Sequence, residues 1–358
     1  MTRYIEIIVP PGKKIPTINE HGALLLPYDI QDDYCWINNI GAVTSDDKDT
    51  LFVIQTSDKH FSLFPGPEFS PRLYRGQTVF YNECVPLLFR EPITQIKYLT
   101  DLLKKYEFYK LMAGHPIIRH LQGWCIDGKY FKINMEGLSG HYEFSTPMMD
   151  VTRSKDIAMF FALCEKKEDN QYRPIIDENR YVILYTVDLT TLLENSKSYF
   201  HVIGFQALPR PDVQMAYSLV VGYKENFNLF PFVSYERFRV NRKQSEKYFE
   251  IFEGGAKLFP NDIVDDMARE IKLSIEIDRE VLEVCFERHL IPKIWANTSK
   301  VENFLKRFNY IVTDKHLEFS DEVKSHIIEK WNTNPPLSPG RVKCRFVSEP
   351  DCGLSIDS

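Results

Sequence analysis

Apolar residues along this chain follow two different spacings, and each predicts its own kind of element. Between residues 96 and 111 they fall at Ile96, Leu99, Leu103 and Tyr106, with Leu102 and Tyr109 beside them and Lys or Asp between, which lines one face of a helix. Shorter stretches predict helices around 115–122, just before His141, and over 154–164. In the last of these Thr152 or Ser154 is the N-cap and Asp156 sits in the first turn. Residues 181–187, YVILYTV, are apolar on both faces and predict a central buried strand. Weaker strand patterns cover 4–9, 51–55, 200–206, 213–221 and 232–240, and the run RLYRGQ reads as a strand that stops at Gly76. From 243 to 331 the pattern is mainly helical, broken by the turn GGAKLFP at 254–260.

These elements suggest a β-rich segment over 1–70, a main domain over 71–270, a helical extension over 271–331 and a mobile Pro- and Ser-rich tail over 332–358. Hydrophobic residues make up 44% and aromatic residues 13%, enough for a sizeable core, and the net charge of -6 argues against broad attraction to nucleic acid. The Lys pairs at 13–14, 104–105 and 166–167 read as solvated faces. The seven cysteines are odd in number and lack C-x-x-C spacing, which fits a reducing cytoplasm. No signal-peptide pattern opens the chain, no apolar run is long enough to span a membrane, and the His and Cys residues form no cluster that suggests a metal. Phosphate-binding glycine loops, the H-E-x-x-H zinc motif and the G-x-S-x-G elbow are missing from the sequence.

Four segments occur in order: LYRGQ at 73–77, GHYEFSTPMMDVTRSKDIAMFFA at 140–162, RPDVQMAYSLV at 210–220 and GGAKLFPND at 254–262. Together they resemble the FRG domain, a family named for an aromatic-Arg-Gly motif and common in bacterial and phage-associated proteins. The sequence departs from that pattern at Glu143, where a Gly is common. The order of the segments is also similar to that of ADP-ribosyltransferases. That resemblance implies an α+β fold with a mixed central sheet of ADP-ribosyltransferase type, flanking helices and NAD as substrate. It further implies an effector of the toxin or phage-defence kind, with a protein or nucleic-acid acceptor.

NAD carries two phosphate charges, and its glycosidic bond breaks through a cationic, oxocarbenium-like state. Arg75 supplies a planar fork of donors for phosphate or ribose, beside Tyr74, and Gly76 lets the backbone come close to the ligand. Thr152 and Ser154 offer hydroxyls where a helix begins, and His141 and Tyr142 offer hydrogen bonding or stacking to the nicotinamide or ribose. The resemblance places a catalytic carboxylate where this chain has Gln214, with Asp212 on the same strand face; Asp212, Asp150 and Glu236 are the alternatives. Each residue also has a plainer reading: Arg75 as a core partner of Asp150, Thr152 and Ser154 as helix caps, His141 and Tyr142 as core residues, and Asp212 and Gln214 on a solvated edge. The alternative function is a non-catalytic module that binds nucleotide, nucleic acid or protein in the same cleft.

Overall fold

The computed structural model describes residues 72–333, apart from 127, 189–190, 192–199, 204–206 and 261, together with 59–60 and the backbone of short strands within 6–64 and 343–348. The predicted 1–70 segment and the predicted 332–358 tail therefore lie largely outside the described residues, although residues 332–333 still belong to the last helix. Six strands form one sheet: Arg72–Gln77 (β1), Met148–Thr152 (β2), Tyr181–Asp188 (β3), Phe200–Val202 (β4), Ala216–Val220 (β5) and Val233–Arg239 (β6). Their order is β4-β5-β2-β1-β3-β6. Every neighbouring pair is antiparallel, so the sheet is not the mixed one expected. The helix Lys155–Leu163 does carry the chain from β2 to β3 as a βαβ crossover would. Those two strands nevertheless never pair, because β1 is inserted between them and runs antiparallel to both.

The pairing of β1 is lopsided. It matches β3 along its whole length, from Gln77 opposite Ile183 to Arg72 opposite Asp188, but meets β2 only at Tyr74 opposite Thr152. The sheet opens beyond that bridge. The other helices that matter are Gln95–Gly114 (α1), Pro116–Gln122 (α2), Met135–His141 (α3), Lys155–Leu163 (α4), Pro209–Val213 (α5), Arg242–Ile251 (α6) and Ile263–Leu273 (α7). They are followed by Arg279–Glu287 (α8), Thr298–Lys306 (α9) and Asp321–Thr333 (α10). Among the described residues, no helix is long and apolar enough to cross a membrane.

Helix α4 is apolar nearly all round and is buried on the sheet, with Ala158, Met159, Ala162 and Leu163 packed on Val182 and Leu184 of β3 and on Tyr248 of α6. Its small residues Ala158 and Ala162, four apart and so on one face, meet β1 at Gly76. A Cβ placed on Gly76 would stand 1.7 Å from the Ala158 carbonyl oxygen and 2.6 Å from the Ala162 nitrogen. Gly76 therefore serves helix-to-strand contact, a packing role that stands beside the ligand approach expected of it.

Helix α1 is the spine of the rest. Its Leu99 and Leu103 share a cluster with Ile277, Val281, Leu282, Val301 and Leu305, while Phe108, Leu111 and Met112 pack with Leu138, Val264, Ala268 and Phe319. The region expected as an extension from 271 is thus packed on α1, and the 270/271 boundary falls inside α7. Lys104 is buried as well, in contrast to the solvated reading of the Lys104-Lys105 pair. Its ammonium donates to the carbonyls of Lys272 (2.5 Å) and Ser274 (2.8 Å), closing the end of α7.

Because the atoms facing Gly76 are backbone and cannot swing aside, Gly76→Ala is expected to cost about 3 kcal/mol or more, or to abolish folding, read as the denaturant midpoint. His115 caps α2, its Nδ1 accepting from the Ile118 N–H, and burial pushes its pKa down from 6.5 to about 4. Neutral His115 contributes stability that is present above pH 6.5 and lost as the pH falls through about 4, a total on the order of 3 kcal/mol. Unfolding measured from pH 7 to pH 4 should show that loss in the native chain, and His115→Asn, which keeps a capping acceptor without titrating, should show less of it.

Candidate functional site

Where β1 and β2 part, a cavity of about 650 Å³ opens, bounded by α4, the end of α3, the strand Cys164–Lys166 and the turn at 258–259. Of the residues predicted for a site, Tyr74, Arg75, Gly76, His141, Thr152 and Gln214 line it, as does Asp150. Segments up to 185 residues apart in sequence, from Tyr74 to Phe259, meet here.

Arg75 stands at the opening between the two strands. Its Nη1 donates to the backbone carbonyl of Asp150 at 2.7 Å, while its buried Nε has no partner. The carboxylate of Asp150 faces elsewhere for its one hydrogen bond, accepting at Oδ1 from the Ser218 hydroxyl at 2.8 Å. The pairing of Arg75 with Asp150 is therefore made through the main chain, and the guanidinium keeps its charge for other use. Arg90 lines the same cavity, and among the described residues the one hydrogen bond of its side chain is to the Val85 carbonyl, 3.4 Å from Nε. Burial first, and then the like charge of Arg75, lower the Arg90 pKa. Across the cavity Phe161, Tyr172 and Phe259 form an aromatic wall, with Tyr172 and Phe259 stacked at 5.2 Å.

His141, the last residue of α3, is almost wholly buried. Its Nδ1 lies 3.2 Å from Gln214 Oε1, and its Nε2 is buried without a partner. Gln214 in turn donates from Nε2 to the Leu258 carbonyl at 2.9 Å, so both ends of its amide are engaged. Burial lowers the His141 pKa; the charge of Asp150 works in the opposite direction and that of Arg210 in the same one. Arg210 is the brace behind this arrangement. It donates from Nη1 to the His141 carbonyl at 2.9 Å, pairs with Asp265 at 3.0 Å and lies 4.7 Å above the Tyr142 ring.

Several predicted residues lie elsewhere. Tyr142 does not reach the cavity: its ring packs on Phe108 in the core and its hydroxyl donates to the Asp262 carboxylate, because the turn after α3 points it inward while His141 faces the cleft. Ser154 is spent on capping α4, accepting from the Ile157 N–H at 3.3 Å, and does not line the cavity, whereas Thr152 lines it and accepts from the Ser154 N–H. Glu236 is exposed on β6, paired with Leu184 of β3 and outside the cavity. Asp212 and Gln214 do not share a strand face. Residues Pro209–Val213 form α5, Gln214 donates its backbone N–H to the Arg210 carbonyl, Met215 turns with φ 47°, and β5 begins only at Ala216. The side chain of Asp212 lies outside the described residues.

Glu143 accounts for its own departure from the family pattern. Its φ is 64°, in the left-handed region that favours glycine. Burial alone would raise its carboxyl, but hydrogen bonds from Lys166 (2.6 Å) and Lys272 (3.1 Å) prevail and hold the pKa at about 2. Arg90, Arg210, Ser218 and the Leu258 carbonyl were not assigned roles from sequence. Arg210, Ser218 and Leu258 lie inside segments that carry the resemblance, while Arg90 lies outside them and is brought to the site by tertiary folding.

Residues 70–171 match the family model of the FRG domain. That span includes Arg75, His141, Asp150 and Thr152 and ends before Gln214 and Leu258. No curated protein and no solved structure gives a significant match to the chain.

Gln214→Ala would strand the Leu258 carbonyl and His141 Nδ1, two buried polar groups, each at a cost of about 1–3 kcal/mol. Denaturant unfolding should show a loss of at least about 2 kcal/mol, and Gln214→Glu should lose less at a pH where one carboxyl oxygen is protonated.

Proposed function

We propose that the cavity binds an NAD-type dinucleotide and cleaves its glycosidic bond, by hydrolysis or by transfer of ADP-ribose to a protein or nucleic-acid acceptor. The observation that carries this reading is the pair Arg75 and Arg90, which face one cavity with no carboxylate partner among the described residues. Guanidinium groups left without a counter-ion in a partly desolvated cleft favour an anionic ligand, and their planar donors suit a diphosphate. The aromatic wall of Phe161, Tyr172 and Phe259 offers flat surface for a heterocycle. A cavity of about 650 Å³ is within the usual range for small-molecule and cofactor sites.

Cleavage needs a negative charge close to the ribose as it becomes oxocarbenium-like. In this reading Asp150 supplies it, with Ser218 holding one oxygen and the other left to face the ligand. Glu143 and Glu165 also line the cavity, but lysine and arginine partners already engage them. The resemblance of the motif order to that of ADP-ribosyltransferases points to the same chemistry. Its third position differs here, since a glutamine amide stands where that resemblance calls for a carboxylate.

A second reading, binding without cleavage, is favoured by Gln214, whose amide is committed at both ends and stabilises no cation. Incubating the purified chain with NAD labelled in the nicotinamide ring separates the two. Cleavage predicts nicotinamide release that falls about 100-fold or more in Asp150→Asn with binding retained, and weakened binding in Arg75→Ala. An NAD-dependent rise in melting temperature without release would establish the second reading, and neither release nor a shift would end both.

A further inference from the structure

The polar groups behind His141 determine which of its ring nitrogens carries the proton. A backbone carbonyl only accepts hydrogen bonds, so the Gln214 atom 2.9 Å from the Leu258 oxygen must be the amide nitrogen. The amide oxygen is then the atom 3.2 Å from His141 Nδ1, and an oxygen there requires a proton on Nδ1. A neutral imidazole with its proton on Nδ1 has a bare lone pair on Nε2. That atom is buried, unpartnered, and belongs to a side chain lining the cavity.

We propose that Gln214 is a positioning residue which, oriented by the Leu258 carbonyl, holds His141 in the Nδ1–H tautomer, so that Nε2 is the cavity's acceptor for an O–H or N–H donor on the bound ligand. The environment is consistent with a neutral ring. Burial opposes its protonation most and Arg210 on α5 opposes it further, while the charge of Asp150 on β2 and the hydrogen bond with Gln214 favour it, and burial prevails. The same cleft holds an orphaned donor, Arg75 Nε. The two unsatisfied atoms are therefore complementary in kind, and a ligand that meets both must offer an acceptor to the arginine and a donor to the histidine. Inorganic phosphate at neutral pH meets mainly the first need, whereas a hydroxyl-bearing phosphate ester meets both. A glutamine at position 214 then has a purpose of its own. It accepts from Nδ1 as a carboxylate would, but without the charge that would raise the histidine pKa and protonate Nε2.

The proposal goes beyond the NAD reading and does not depend on it, so it is tested by a measurement that needs no turnover. The full chain labelled with ¹⁵N-histidine, with His141→Asn to assign the resonance, reports the ring tautomer directly by long-range ¹H–¹⁵N correlation. His141 should be neutral and protonated at Nδ1 at pH 8 and still so at pH 7. In Gln214→Glu it should keep the Nδ1 proton but titrate at higher pH, and in Gln214→Leu the Nδ1 preference should disappear. Adding ADP-ribose should move the Nε2 resonance, and inorganic pyrophosphate should move it less. An imidazolium or an Nε2–H tautomer in the native chain at pH 7 would overturn the proposal even if neither Gln214 variant folds. A native-like tautomer in a folded Gln214→Leu would overturn the role given to Gln214.

Discussion

Helix α4 and strand β1 meet backbone to side-chainless backbone at Gly76, and much of the architecture follows from that contact. A helix that comes this close to a strand covers it with little space for side chains between, which explains why Ala158 and Ala162 face the contact while the bulkier Met159 and Leu163 pack towards β3 and α6. With α4 fixed there, its N-terminus and the end of β2 are also fixed. Thr152 is left as the single bridge from β2 to β1, and the sheet opens beyond it. The cavity is a consequence of this geometry: β1 follows β3 closely and leaves β2 after one bridge, so the space between them is lined by groups that would otherwise have been buried in pairing.

The charge pattern of the site depends on the same opening. Arg75 lies on the strand that parts from its neighbour and meets Asp150 through a carbonyl, which leaves the guanidinium and the carboxylate as separate resources. A buried ion pair between them would have neutralised both. Opposite, Arg210 binds α3, α7 and the 258–259 turn around His141, so the histidine is held from the main-chain side by one residue and from the ring side by another. Rigid placement of this sort is what a binding site needs of its supporting groups.

Local pattern revealed much of the fold. Helical spacing located α1, α2 and α4 within a residue or two at most ends, the Ser154 cap was readable from residue type, and the doubly apolar YVILYTV identified the buried strand β3. What eluded the sequence was non-local. Antiparallel insertion of β1 between β2 and β3 leaves no mark on either strand, since an apolar strand looks the same whatever the direction of its neighbours. The short helix α5 was hidden by its two prolines and by the strand pattern that follows it, and with it the true setting of Gln214. Within the site, residues of the FRG-matched span were legible as a group, as far as Arg75, His141 and Thr152 are concerned. Leu258 contributes only a carbonyl, which every residue possesses, so no sequence signal distinguishes it. His141 and Tyr142 illustrate the limit well: adjacent and both suited to a ligand, they point to opposite sides of one turn.

The packing of α1 has an effect during synthesis. Its apolar residues Leu99 and Leu103 leave the ribosome well before the segments that bury them, which begin near Ile277 and end near Val312. For roughly two hundred residues of translation, about 10–40 s at ordinary rates of synthesis, the nascent chain presents an uncovered greasy helix. The early half of the molecule thus lacks its covering until those segments arrive, and a chain stopped short of them keeps a sticky surface where the complete one has a core.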